Sequence, residues 1–249
     1  MNKMLCTAGK TAMILGACFF LFVGCQQQAK QAKEATPTQN TLTDDEKAAG
    51  WPLLFDGKTT NGWHVYNQQG VSGWDVKDGE LIALGKDGGG KDIVTDQEFD
   101  NFELSLEWKI SPAGNSGIFF NVLEDTAYGA VYETGPEYQL IDDVGFPEKL
   151  EEWQKSAANY AMHPPATIAT KPVGEFNVSR LIVNKGHVEH WLNDQKIVEY
   201  ELWTPEWETL VKTGKWKDYP GYGIAKKGHI ALQDHGNQIW FRNIKVRKL

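Results

Sequence analysis

The chain has 249 residues, of which 41% are hydrophobic and 23% charged, the balance of a globular chain and not of a disordered one. Its formal net charge of −8 excludes the basic footprint that nucleic-acid binding needs and offers no attraction to anionic lipid. Ten tryptophans and 25 glycines suit sheets joined by tight turns around aromatic-lined grooves.

The first residues read as an address. Lys3 and Lys10 make a positive n-region ahead of an apolar run, Thr11 to Val23, that is too short to span a bilayer but fits the core of a signal peptide. The run ends Phe22-Val23-Gly24-Cys25, which resembles a bacterial lipobox with Phe where Leu is usual. The resemblance implies a signal peptide over 1–24, cleavage before Cys25, lipidation of its thiol, and a lipid-anchored place in the bacterial cell envelope. Gln26-Gln27-Gln28 carries no acidic run, which favours the periplasmic face. Cys6 and Cys18 fall within the signal and no Cys follows Cys25, so disulfides, a thiolate nucleophile and Cys-based zinc sites are excluded from the mature chain.

Residues 25–50 read as a lipid-attached tether. Gln26 to Asn40 lacks aromatic and large aliphatic residues and cannot bury enough surface to fold. Thr43-Asp44-Asp45-Glu46 is a capping box, predicting a short helix from Asp44 to Ala49 that stops at Gly50. Trp51 opens a single domain over 51–249. Trp74–Val76 and Glu80–Leu84 form a hairpin across Lys77-Asp78-Gly79. Phe102 to Ile110 alternates strictly between apolar and polar positions. Further strands are expected at 116–123, 136–141, 176–183, 187–192, 196–201, 228–234 and 238–247, with hairpin turns at Asn184-Lys185-Gly186 and Asn193-Asp194. Helices are expected at 147–156 and from Thr204, with Pro205 at its first position, to about Lys212. Many short antiparallel strands predict an all-β sandwich or jelly roll.

Four blocks then carry a family likeness: Leu54-Phe55-Asp56-Gly57-Lys58 with Gly62-Trp63; Gly114-Asn115-Ser116-Gly117-Ile118-Phe119; Glu137-Tyr138-Gln139 with Asp142; and Gly228 to Gly236 with Phe241-Arg242-Asn243-Ile244. In this order, over about 51–249, they resemble the 3-keto-disaccharide hydrolase domain family. The resemblance implies a concanavalin A-like jelly roll of two curved antiparallel sheets with a carbohydrate groove. It also implies action on sugars whose C3 hydroxyl has been oxidised to a ketone.

Period two places Glu137 and Gln139 on one face and Tyr138 and Leu140 on the other. A bulge after Leu140 would bring Asp142 to the Glu137 face. The spacing resembles the catalytic strand of laminarinase-like glycosidases, except that Gln139 replaces the middle acid, which argues against double displacement. His235 and Gln233 point away from the strand's aliphatic residues, and His235 suits general acid–base work. The expected proton-transfer residues are therefore Glu137, Asp142 and His235. Asp234 points with the aliphatics and is a candidate ligand for a structural Ca²⁺. Gln139, Gln233, Asn115, Glu107, Arg180 and His190 are candidate substrate ligands, Arg180 by pairing with Glu137 or Asp142. The alternatives are a solvated sheet face for Glu107 and a satisfied core histidine for His190. His187 and His190, three apart on a strand, face opposite ways and should not chelate together. His163 reads as a rim element, and Trp203 and Trp207 as helix packing.

The expected chemistry is simple. A C3 ketone acidifies the C2 proton, one base removes it, donors hold the enolate, and the C1 substituent leaves with a proton from a general acid. Elimination and net hydrolysis are both open, and no cofactor is required. A sugar 3-dehydrogenase would supply the ketone. The alternative readings are a non-catalytic carbohydrate-binding module and a conventional β-glucanase.

Overall fold

The computed structural model describes residues 38–249; the apolar run, the lipobox and Cys25 lie outside the described residues. Twelve strands form two antiparallel sheets packed face to face, the sandwich expected of a jelly roll. The five-stranded sheet runs β1 (Trp63–Val65), β4 (Ile93–Phe99), β11 (Gly228–Leu232), β6 (Asn115–Val122), β7 (Glu137–Ile141). The seven-stranded sheet runs β10 (Gln195–Glu201), β9 (His187–Leu192), β8 (Asn177–Asn184), β5 (Phe102–Ile110), β12 (Ile239–Lys248), β3 (Glu80–Ala83), β2 (Trp74–Lys77).

Alternation along each strand builds the core. Val65, Ile93, Leu232, Ile118 and Tyr138 lie in one cross-strand row and all enter the main apolar cluster between the sheets. From the other sheet come Leu104, Leu106, Trp108, Leu181, Phe241 and Val246. The next row of the five-stranded sheet, His64, Val94, Ala231, Phe119 and Glu137, therefore faces outward. Val94, Ala231 and Phe119 are nonetheless buried, in a second small cluster with Tyr66, Val122 and Val131. Loops thus cover the middle of this outer face.

The hairpin turns follow their sequence signals, with Asp78-Gly79, Lys185-Gly186 and Asn193-Asp194 all at positive φ. The helix at α1 (Asp44–Ala48) carries the Thr43/Glu46 capping box, and α2 (Pro205–Thr213) begins at Pro205 behind the Thr204 cap. Two expectations change. Residues 147–156 form no helix beyond a single 3₁₀ turn at Glu152–Gln154. Ser156 is tied instead to the sheet: its hydroxyl bonds both Ile141 N and Ile141 O, and its own N–H donates to Asp143. Ahead of Trp51, Asn40 is already docked, exchanging amide hydrogen bonds with Asn243 on β12 at 2.6 and 2.8 Å. Glu46 of α1 pairs with Lys245 of the same strand.

Candidate functional site

β7 sits at one end of the five-stranded sheet, yet its free edge is covered. Residues 157–160 run beside it and exchange main-chain bonds: Gln139 N donates to Ala158 O, Ala157 N to Gln139 O, and Tyr160 N to Glu137 O. This clamps Glu137 and Gln139 on the outward face at fixed height. The same loop supplies Tyr160 to the wall of a cavity of about 250 Å³. Its floor holds Glu137, Gln139, Asn115 and Gln233; Tyr132, Tyr160, Lys215, Trp216, Tyr219 and His235 complete it. Five residues expected in the site thus meet: Glu137, Gln139, Asn115, Gln233 and His235.

Glu137 is 6% exposed, and burial pushes its carboxyl up to about 8, the nearby Lys215 ammonium pulling the other way and Asp92 pushing further up. Its room is made by Gly117 on the neighbouring strand: a methyl there would stand 2.6 Å from Glu137 Oε1 and 2.9 Å from the Phe119 ring. Gln139 donates to Asn115 Oδ1 at 3.3 Å, while its own buried Oε1 has no partner among the described residues. An acceptor left unpaired on a cavity floor is suited to a hydroxyl brought by a ligand. Gln233 N donates to Gly117 O, which fixes the strand beneath it.

Asp92, which no motif in the sequence marks, also bears on the site. It lies just before β4, in a segment whose Asp96-Gln97-Glu98 run hides the strand. Ile93 pairs with Leu232, so one step along, Asp92 comes level with Gln233 on the outward face. Its carboxylate accepts Asp234 N at 3.0 Å, and burial raises it to about 7, with Asp234 adding to the rise.

Five expected site residues are elsewhere. Asp142 does not reach the Glu137 face, because β7 pairs with β6 in unbroken register from Phe119–Glu137 to Asn115–Ile141 and has no bulge there. Its carboxylate accepts Ala113, Val144 and Gly145 N–H groups and shapes a turn. Glu107 is on the far face of the seven-stranded sheet, held by Arg242 Nε at 2.7 Å and Asn243 Nδ2 at 2.6 Å. Arg180 is on that face too, paired with Glu103 and stacked on Trp191, and meets neither Glu137 nor Asp142. His190 is fully buried and satisfied: Nδ1 meets Ala157 O at 2.9 Å, Nε2 meets Tyr200 Oη at 3.3 Å, and Tyr138 stacks on its ring. Burial holds it neutral by pushing its pKa down to about 3. Asp234 accepts N–H groups from Gly85 at 3.2 Å and from Gly236 at 2.9 Å, which tie its carboxylate to two turns outside the cavity lining.

The wall is part of a longer structure. Trp216 stacks on Tyr222 at 4.1 Å, Tyr222 on Trp207, Trp207 on Tyr200, and Tyr200 on His163, each pair within 10° of parallel. His163, expected at the rim, instead ends this column. A larger cleft of about 440 Å³ lies between the Asp142 turn and residues 170–177. Of the two carboxylates that line it, Asp142 is already engaged by backbone donors and Glu175 is exposed to solvent, whereas the smaller cavity buries its acid.

The chain is similar to known proteins over almost all of its described residues. Residues 50–247 match the profile of the 3-keto-alpha-glucoside-1,2-lyase-like domain. A Bacteroides thetaiotaomicron protein named 3-keto-disaccharide hydrolase is 38% identical over 230 residues, covering 81% of this chain and 79% of its own. A crystal structure of a candidate glycosyl hydrolase from Parabacteroides distasonis superposes with a TM-score of 0.81 at 42% identity, over 85% of this chain and all of that one. A carbohydrate binding module from Bacillus subtilis shares the fold at 10% identity, with a TM-score of 0.50 over 75% of this chain and 96% of its own.

Proposed function

Since the chain belongs to the 3-keto-alpha-glucoside-1,2-lyase-like domain family of enzymes, we propose that it cleaves glycosides carrying a ketone at C3, with Glu137 as its central proton-transfer group. The observation that carries this reading is a buried carboxyl, raised to about 8, on the floor of a polar cavity walled by aromatic rings. A group in that state is protonated at neutral pH and suited to act as an acid.

In the proposed reaction His235, at the cavity wall, takes the C2 proton that the ketone acidifies. The electron pair moves to the C3 oxygen as an enolate. Side-chain amides of Gln139, Gln233 and Asn115, with the Lys215 ammonium, provide donors for that oxygen and the ring hydroxyls. The C1–oxygen bond then breaks, its electrons leaving with the departing alcohol, which receives the Glu137 proton. The product is an enone; addition of water at C1 completes net hydrolysis. Asp92 does not act on substrate in this scheme; its carboxylate helps keep Glu137 protonated.

A ketone at C3 must be made by an oxidation elsewhere, so the reading includes a sugar 3-dehydrogenase as functional partner. It also includes a lipid anchor at Cys25 on the periplasmic face, supported by the lipobox. The test incubates the protein with a 3-keto-glucoside and with its unoxidised parent, following substrate loss and enone absorbance. Turnover of the keto sugar alone supports the proposal. Turnover of the parent at a comparable rate, or of neither, overturns it.

A further inference from the structure

On the opposite side of the molecule, at the β9–β10 edge of the seven-stranded sheet, His187, Glu189 and Glu199 converge. His187 and Glu189 are two apart on β9 and so share its outward face; Glu199 lies directly across from Glu189 on β10, and Glu201 across from His187. His187 Nε2 stands 3.4 Å from Glu189 Oε1 and 3.3 Å from Glu199 Oε1. The three donor atoms all lie within 4.8 Å of one another.

We propose that these three side chains bind a divalent transition-metal ion of the zinc class. Tetrahedral bonds of about 2.0–2.1 Å put neighbouring donor atoms about 3.3–3.4 Å apart, the separations found around His187 Nε2. Each ligand is also aimed from behind. Glu201 accepts from His187 Nδ1 at 2.6 Å, which fixes the proton on that nitrogen in the neutral ring and turns the Nε2 lone pair toward the two carboxylates. Trp191 Nε1 donates to Glu189 Oε2 at 2.6 Å, leaving Oε1 for the ion. Lys196 Nζ holds Glu199 Oε2 at 2.6 Å, again leaving Oε1. One imidazole and two carboxylates suit zinc better than the all-oxygen sets of calcium or magnesium. Lys196 Nζ also lies 3.5 Å from Glu189 Oε1, so its charge works against the ion while its hydrogen bond orients a ligand. An ion here would cross-link the edge strand to its neighbour, far from the Glu137 cavity.

The experiment titrates the untagged full-length protein with Zn²⁺ against a chromophoric zinc indicator and follows melting in parallel. One saturable equivalent is expected in the wild-type protein and in E137Q, with a rise in Tm on adding zinc. H187A and E199Q should each weaken binding at least tenfold and lose the Tm rise, with keto-glycoside turnover intact. K196Q should bind several-fold more tightly, a gain that an ion-pair network with no metal role would not give. Absence of saturable binding in the wild-type protein, equal affinity in E199Q and wild type, or weaker binding in K196Q would each overturn the proposal.

Discussion

The carboxylate of Glu137 leans over Gly117, and a single methyl on that glycine would stand 2.6 Å from Oε1. The strand is bare at the point where the acid is placed. Replacing Gly117 by Ala is therefore expected to move the carboxylate while leaving the sheet paired. Overpacking of this kind costs about 1–3 kcal/mol. Activity on a 3-keto-glucoside should fall at least tenfold with a modestly lower Tm, and wild-type turnover in G117A would show that the position of Glu137 is unimportant.

Glu137→Gln should cost about 10²–10⁴ in turnover, the usual worth of a general acid. It should also stabilise the fold at alkaline pH. The folded pKa, about 8, is raised above the unfolded value of 4.5, so the native state holds a proton that the unfolded chain loses first. Wild-type stability from this group is intact below 4.5 and is lost as pH rises through about 8. The advantage of E137Q should widen across that window by up to about 1.4 kcal/mol per pH unit and then level off. Urea melts at pH 5 and pH 8 measure it; an equal stability gap at both would refute the buried-acid assignment.

Asp92 and Lys215 act on Glu137 in opposite senses. Removing the negative charge with Asp92→Asn should lower the pKa of Glu137, and the alkaline limb of kcat/KM should move to lower pH. Lys215→Met should move the same limb to higher pH. A purely structural role for either residue would change the height of the profile without displacing it.

Tyr222 is 1% exposed, and its hydroxyl has no hydrogen-bond partner among the described residues. Tyr222→Phe keeps the ring in its stack and removes a desolvated polar group, a change worth about 1–3 kcal/mol. The variant should melt higher than wild type; a lower Tm would mean that the hydroxyl is bonded after all.

The sandwich was legible because its strands alternate cleanly and its turns carry Asp-Gly and Asn-Asp signals. The short β1 and the charge-interrupted β4 were not legible, and with β4 went Asp92. On β7 and β11 the two-residue period placed Glu137, Gln139 and Gln233 together. It could not say that the face carrying Glu107 and Arg180 belongs to the other sheet and looks the other way, since that depends on which strands become neighbours. Asp142 shows the same limit: a carboxylate that looks catalytic in sequence is satisfied by backbone N–H groups of its own turn. The helix expected over 147–156 gave way to side-chain bonds from Ser156 that no local propensity encodes.

The column of rings from Trp216 to His163 gives the protein a built-in optical gauge. One end, Trp216, forms part of the cavity wall; the other indole in the stack, Trp207, is buried between Tyr200 and Tyr222. Rings fixed this rigidly should give a strong near-ultraviolet dichroism. A sugar settling against Trp216 would alter that signal and the indole emission together, so occupancy can be followed without a label, even for a substrate analogue that never reacts.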